Sequence, residues 1–370
     1  MDRLGSLGRP FVFAFDFEKT EALLVPDPFE SEELFFSVRG RGNGMPGGGP
    51  GASRTGAPAG GPDAETLVPE PMSYGEYARG FGVVRRGLLR GDSYLVNLTA
   101  RTPVGCGLDL AGVYRRAGAM YRLLVPGRFV CFSPEIFVRI EDGLISTFPM
   151  KGTIDASVPD AERKILADLK ETAEHATVVD LLRNDLSMFA SGVHVRRWRY
   201  VDRIRARERE ILQVSSEVSG RLPAGWRGRL GEIMLGLTPA GSCSGAPKES
   251  TLRIIREAEG IPRGYYTGVF GLFDGRTLDT GVLIRFVEEE GGRLFFRSGG
   301  GITAMSRPRD EYREVLEKIC LPLPEAGGAA GATGDAPDSR GFLETGGGRD
   351  GSGTRTPAGE GDLAAASGRG

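Results

Sequence analysis

An α+β fold with largely antiparallel sheets is expected from this sequence on three grounds. Short apolar runs recur with two-residue turn signals between them, at Asp142-Gly143, Asp274-Gly275 and Gly291-Gly292. Such pairs favour hairpins. Helical periods are interspersed among the runs, and no regular βαβ alternation is present, which argues against a parallel sheet.

In chain order, residues 9–17 (RPFVFAFDF) read as a strand, 74–89 as a helix and 94–100 as a strand. Residues 128–148 read as one hairpin turning at Asp142-Gly143. Pro159 and Asp160 open a helix in which Ile165, Leu166, Leu169, Ala173 and Ala176 keep a helical period. Residues 193–222 are strand-rich, and Pro247 opens a helix running toward Glu259. Residues 267–303 hold three strands, and a helix from about Pro308 to Ile319 closes the fold.

The 370 residues carry 47 Lys plus Arg against 49 Asp plus Glu, a net charge of -2. That balance argues against a nucleic-acid wrapper. No apolar run approaches the roughly 20 residues that span a bilayer. The N-terminus lacks an apolar signal core. The cysteines, Cys106, Cys131, Cys243 and Cys320, form no CxxC pair. They suit a reducing cytoplasm rather than a zinc ribbon or disulfide scaffold. With only His175 and His194, acid–base chemistry must rest mainly on carboxylates and lysines. Residues 40–62 hold ten Gly and four Pro, and 325–370 hold 14 Gly, neither with an apolar period. Both segments read as disordered, an insertion and a tail, because they cannot bury enough surface to offset their ordering entropy. Residues 1–39 then form an N-terminal strand region of one core, whose main body is 63–324.

Two carboxylate pairs stand out. Glu171 and Glu174 are three apart on one helix, and Glu311 and Glu314 on the last, so each pair shares a helix face. Facing each other they would make an oxygen-only site suited to Mg²⁺. Singly, each pair is an ordinary solvated face. Lys151 follows an apolar strand. Burial there would lower its pKa and leave a nucleophilic amine; the plainer reading is a lysine whose ammonium snorkels to water. Glu135 lies 16 residues upstream on the partner strand, and the hairpin would bring this acid beside the amine. Asp180, Arg183, Asn184 and Asp185 read as a structural ion network. Gly299, Gly300 and Gly301 offer backbone N–H groups to an anion, or mark a tight strand end. Gly241-Ser242-Cys243-Ser244-Gly245 matches a glutaminase nucleophile elbow. A cysteine nucleophile needs a histidine base, and neither histidine is placed to serve, so that reading is set aside.

These pieces occur together in one family. The sequence resembles the chorismate-utilising enzymes: anthranilate synthase large component, aminodeoxychorismate synthase component I, and isochorismate and salicylate synthases. The matching stretches are FSPEIFV (132–138), FPMKGT (148–153), ETAEHATVVDLLRNDL (171–186), VSSEVSG (214–220), PAGSCSGAPKESTLRIIREAE (239–259), RGYYTGVFG (263–271), LDTGVLIRF (278–286), SGGGI (298–302) and DEYREVLEKI (310–319). They run in the family's order over roughly residues 94 to 320. Within the family, PMKGT resembles the PIKGT of aminodeoxychorismate synthases rather than the PIAGT of anthranilate synthases. GDSYLVNL (91–98) is similar to their GDCYQVNL.

The resemblance implies two antiparallel sheets packed as a sandwich with helices outside, and 63–324 as a chorismate-binding catalytic domain. It implies Mg²⁺ at Glu174 and Glu314, with Glu171 and Glu311 close by, binding the ring carboxylate of chorismate. Lys151 becomes a covalent nucleophile and Glu135 the acid that protonates the departing hydroxyl. Tyr266, Arg285 and the backbone of Gly299, Gly300 and Gly301 hold substrate carboxylates. Lys318 and Lys248 add positive charge near the site, and Asn97 faces the ring. Gln213 stands where many members have His, so a proton role there is in doubt; Leu95 replaces a Gln. No leucine-rich inhibitor segment is present, so tryptophan feedback is not expected. The implied activity is that of aminodeoxychorismate synthase component I, a cytoplasmic enzyme of p-aminobenzoate and folate synthesis. It takes ammonia from a separate glutamine amidotransferase subunit and binds neither nucleic acid nor membrane. The alternatives are an anthranilate or isochorismate synthase, and a non-catalytic chorismate-binding homologue.

Overall fold

The strand Phe11–Phe15 (β1) sets the layering. Its side chains bury on both faces: Phe11, Phe13 and Phe15 enter one apolar cluster, Val12 and Ala14 another. An alternation that is apolar on both faces places a strand between two covering layers. The computed structural model describes residues 1–45, 67–206 and 209–321.

A short helix, α1 (Asp2–Ser6), precedes β1, which returns as β2 (Ala22–Pro26). Three small strands follow: β3 (Phe35–Val38), β4 (Arg41–Gly42) and β5 (Val68–Pro69). Next come α2 (Tyr74–Arg90), β6 (Leu95–Gly105), α3 (Leu110–Arg116), β7 (Tyr121–Val125) and β8 (Phe129–Ser133). The central stretch is β9 (Ile136–Glu141), β10 (Leu144–Thr147), β11 (Met150–Asp155), α4 (Ala161–Ala167), α5 (Leu169–Ser187), β12 (Ser191–Ala206) and β13 (Arg209–Arg221). Then follow α6 (Leu230–Leu237), α7 (Gly241–Ser244), β14 (Gly245–Ala246) and α8 (Lys248–Glu259). Strands β15 (Val269–Phe273), β16 (Leu278–Val282), β17 (Phe286–Glu290) and β18 (Arg293–Ile302) lead to α9 (Pro308–Glu317).

Two sheets result. One runs β11-β13-β10-β9-β16-β15-β1-β2, with β12 on the other side of β13; the second runs β14-β6-β18-β17-β8-β7-β3-β4, with β5 beside β6. The pairings that define both orders are antiparallel. Val12, Ala14, Phe270 and Leu272 of the first sheet share a cluster with Phe36, Tyr121, Leu123 and Phe286 of the second, so the sheets pack face to face. At Gly281 the approach is close: a Cβ would stand 2.8 Å from the Tyr121 ring. Helices α2 and α8 cover β6 on the outside, and α3 covers the opposite end of that sheet. No helix among the described residues is long and apolar enough to cross a membrane.

Local chemistry explains the boundaries. Ser73 and Glu76 form a reciprocal capping box at the start of α2, and Gly91, at φ 79°, ends it. Asp142 (φ 49°) and Gly143 (φ 75°) turn β9 into β10 with the two positive φ values of a type I′ turn.

Several expectations need correcting. Residues 128–148 are not one hairpin: β8 lies in the second sheet and β9 in the first, and the chain crosses between them at Ser133-Pro134-Glu135. The helix opened by Pro159 and Asp160 is two helices. Asp168 (ψ 112°) breaks it, and its side chain accepts the Glu171 N–H to cap α5. Leu169 is consequently 84% exposed and outside the apolar stripe. Residues 267–303 form four strands, not three, because Arg285 at φ 54° interrupts the chain between β16 and β17. Of the Gly-rich insertion, Arg41–Gly42 pairs with Ser37 and Val38; 46–62, like the tail 325–370, lies outside the described residues.

Candidate active site

Both sheets present open backbone on the same neighbourhood. β17 pairs with β18 only as far as Arg297, so Ser298 to Ile302 pair with β6 alone. Alternate residues of an antiparallel strand turn their N–H and C=O groups toward the partner or away. The Gly299 carbonyl accepts from Lys318 Nζ (2.8 Å), while the facing Thr99 N–H donates to Glu259 (2.9 Å). Gly299, and Gly301 two residues on, therefore turn their backbone groups to the open edge. Gly300 faces α9: a Cβ there would be in ordinary contact with Glu314 (3.5 Å) and Glu311 (3.6 Å).

In the first sheet, β11 pairs only with β13, and its register shifts between Met150 and Thr153. The bulge holds Lys151 and Gly152, the latter at φ 92°. Gln213 on β13 fixes it: Nε2 donates to the Gly152 carbonyl (2.9 Å) and Oε1 accepts from Thr153 (3.1 Å). At this position, where Gln stands in place of His, the side chain shapes the bulge that carries Lys151.

α5 packs on β11 and α9 on β18, and their glutamates meet the two lysines. Lys151 Nζ stands 2.8 Å from Glu174, and Lys318 Nζ 2.7 Å from Glu314. The Lys151 amine also feels the charges of Glu171 and Glu314, and Glu311 feels those of Glu314, Lys318 and Lys151. Four carboxylates from two helices thus surround two ammonium groups. Among the described residues no three His, Cys, Asp or Glu side chains stand close enough to hold a metal ion. The donor set is nonetheless all oxygen, and it outnumbers its lysines, which is the chemistry a hard cation requires.

The electrostatics correct one expectation. Burial pulls the Lys151 pKa down, but the hydrogen bond and charge of Glu174 outweigh it, and the net shift is upward. The amine is held protonated, not freed by burial. Burial raises the pKa of Glu311 against a Ser306 hydrogen bond. It also raises that of Glu135, against the opposing pull of Ser242 and Lys318. Glu135 does not contact Lys151. Its Oε1 accepts from Ser242 Oγ at 2.6 Å: the hairpin turns at Asp142-Gly143 as expected, but its β9–β10 ladder ends at Arg139 and Ser146, and β11 pairs with β13 instead of β9.

The other candidates fall around this cluster. Arg285 reaches the Lys318 carbonyl (3.4 Å) and Cys320 Sγ (3.3 Å) at the end of α9. Tyr266 is buried against Phe286, with burial pushing its hydroxyl pKa up. Asn97 pairs with Gly301, and its buried Oδ1 has no hydrogen-bond partner. Lys248 is elsewhere: it binds Asp185 (2.9 Å) and the Leu237 carbonyl (3.0 Å), which removes it from the site and makes Asp185 part of the structural network expected of that run. An open groove of about 500 Å³ beside α4, lined by Val158, Leu166, Arg203 and Leu212, contains none of these glutamates or lysines.

Two features escaped the sequence reading. Ser242 lay in the motif that was set aside. Arg263 is fully buried, paired bidentately with Glu259, and donates to the carbonyls of Cys243 and Asn97. Its only signal was a place inside RGYYTGVFG. Cys243 itself is buried with its thiol pKa pushed up, so it lacks the thiolate of a nucleophile.

Known proteins match most of this chain. A family described as chorismate binding enzyme matches residues 51–324. An uncharacterized PabA-like protein of Haemophilus influenzae is 45% identical over 320 residues, covering 86% of this chain and 94% of that one. Aminodeoxychorismate synthase component 1 of Bacillus subtilis is 30% identical over 272 residues, 70% of this chain and 57% of its own length. The structure of anthranilate synthase component I from Streptococcus pneumoniae superposes with a TM-score of 0.58 at 26% identity, over 69% of this chain and 58% of that one. The chain spans a little over half the length of these last two proteins.

Proposed function

This chain belongs to the family of chorismate-binding enzymes, and we propose that within it the chain acts as the chorismate-aminating component of an aminodeoxychorismate synthase. The observation that carries this reading is Lys151. A lysine stands on the bulge of an edge strand, its amine among Glu171, Glu174 and Glu314, where anthranilate synthases of the family have a residue without an amine. Lys151 takes the nucleophile's role because, of the two amines at the carboxylate cluster, it is the one carried on the open edge strand.

The reaction proceeds in two displacements. Lys151, once its proton has left to solvent, attacks C2 of chorismate; the C1–C2 and C5–C6 double bonds shift to C1–C6 and C4–C5, and the C4–O bond breaks. Glu135 donates the proton that lets the hydroxyl leave as water, a role suited to a carboxyl whose burial favours the neutral form. Ammonia then attacks C4, both double bonds return to C5–C6 and C1–C2, the C2–N bond breaks, and Lys151 leaves as the neutral amine while the new C4 nitrogen carries the positive charge. The product is 4-amino-4-deoxychorismate. Arg285, Tyr266 and the outward N–H groups of Gly299 and Gly301 hold the substrate carboxylates, Arg285 through paired hydrogen bonds. Asn97 faces the ring, and Lys318 keeps Glu314 in place. Glu171, Glu174, Glu311 and Glu314 would hold Mg²⁺, which would neutralise the ring carboxylate and withdraw electrons as a Lewis acid.

Ammonia comes from a separate glutamine amidotransferase subunit. His175 is bonded to Ser216 (2.7 Å) and His194 to the Gly192 carbonyl (2.8 Å), so neither is a base for Cys243. The isolated chain should accept ammonium and give no product from glutamine.

The deciding experiment incubates the chain with chorismate, Mg²⁺ and ammonium and identifies the product by mass and absorbance. Aminodeoxychorismate is expected, and Lys151→Ala should reduce its formation by at least about a hundredfold. Anthranilate or isochorismate as the product would overturn the aminodeoxychorismate reading.

A further inference from the structure

The GSCSG segment has no role in the mechanism above, yet its serine makes the shortest side-chain contact to the acid. Ser242 Oγ donates to Glu135 Oε1 at 2.6 Å. α7 is a single turn, so its backbone needs outside support, and it has it. Gly241 abuts Leu181 so closely that a Cβ would come within 2.9 Å. The Ser244 hydroxyl bonds the Ala240 carbonyl (2.9 Å), and the Cys243 carbonyl accepts from fully buried Arg263 (2.8 Å). Glu135 is equally fixed from behind: its N–H is bonded to Ser133 Oγ (3.1 Å) and its carbonyl accepts from Val282 (3.1 Å). Two rigid backbones thus present one hydroxyl to one carboxyl.

We infer that Ser242 is a positioning residue for the proton donor: it holds one oxygen of Glu135, leaving the other oxygen to carry the proton toward the leaving hydroxyl. The inference rests on the proposed function for what Glu135 donates to, but not for the contact itself. A hydroxyl has one hydrogen, and here it is spent on Oε1, so the acidic proton of Glu135 belongs on Oε2. Without Ser242 the carboxyl loses this anchor: it can turn away from the leaving hydroxyl as well as carry its proton on the wrong oxygen. The groups whose charge or polarity reaches Glu135 are Ser242 and Cys243 of α7 and Lys318 beyond α9. Lys318 and Ser242 favour the carboxylate, and burial favours the acid. Removing the Ser242 hydroxyl therefore shifts Glu135 toward the acid form.

The test compares Ser242→Ala, Ser242→Thr and Glu135→Gln with the wild type by two readouts. The first is an infrared titration of the protonated carboxyl band that disappears in Glu135→Gln, which needs no turnover. In Ser242→Ala its midpoint should rise by about one pH unit, the size expected for a lost hydrogen bond to a charged group; Ser242→Thr should restore it. The second is kcat against pH with chorismate, Mg²⁺ and ammonium. Ser242→Ala should lower kcat on the order of tenfold with KM little changed, and move the alkaline limb upward by the same amount as the infrared midpoint. An unchanged midpoint in Ser242→Ala overturns the inference. A shifted midpoint with unchanged kcat also overturns it, since the contact would then be structural. Absence of aminated product in the wild type sinks the proposed function instead, and the infrared arm still decides Ser242.

Discussion

At Lys151 two effects act in opposite directions on one ammonium group. Burial disfavours the charge, and Glu174 at 2.8 Å favours it more strongly. His175 shows the opposite outcome. It is fully buried, and burial together with the nearby Arg199 lowers its pKa to about 4. The neutral ring bonds Ser216 Oγ and meets Trp198 edge-on. The sign for stability follows. The unfolded chain binds this proton below about pH 6.5 and the folded chain only below about pH 4. The contribution is complete above pH 6.5 and is lost as pH falls through that window, on the order of 3 kcal/mol in all. Urea midpoints measured from pH 7 to pH 4 should fall accordingly. In His175→Gln the fall should be shallower; an identical slope in the two proteins would rule His175 out as its source.

Among the elements, α5 and α9 matter more than any one side chain they carry. Each presents two glutamates three residues apart, and each rests on a strand whose outer edge is open. Like charges so placed repel unless cations stand between them, and Lys151 and Lys318 supply two. Isothermal titration with Mg²⁺ should show binding to the wild type, and Glu174→Gln or Glu314→Gln should each weaken it by at least about tenfold. Equal affinity in both variants would remove these helices as the cation site. The bulge in β11 acts at the same scale: the lysine reaches the helix because Gln213 holds Gly152 out of regular register.

For the whole molecule, Arg263 ties distant parts together. From one buried guanidinium it reaches Glu259 at the end of α8, the Cys243 carbonyl in α7 and the Asn97 carbonyl in β6. The pair is almost wholly shielded, with 1% and 4% exposure. Glu259→Gln leaves the guanidinium buried without its counter-charge and should cost about 3–5 kcal/mol. Denaturant unfolding checks this, and a loss under about 1 kcal/mol, the worth of an exposed pair, would contradict it. Because the same network supports α7, the variant should also loosen Ser242.

Periodicity and turn chemistry are local properties, and they were legible. RPFVFAFDF, the helix from Tyr74, the Asp142-Gly143 turn and the helix after Pro247 all appear where the residues place them. Two glutamates three apart must share a helix face whatever surrounds them, so both pairs could be named in advance, and Lys151 stood out as a charge after an apolar strand. Partnership was not legible. Whether Lys151 met Glu135 or Glu174 depended on β11 pairing with β13 rather than continuing along β9, which no local pattern records. The same apolar strand can pair with either neighbour until the sandwich forms. Lys248 and Lys318 look alike in sequence, yet one closes on Asp185 and the other on Glu314. Ser242 looked like chance in a glycine-rich chain until packing brought Glu135, 107 residues away, within hydrogen-bond reach. Side-chain type and spacing set what chemistry is available to this protein; non-local burial and strand pairing choose which groups perform it together.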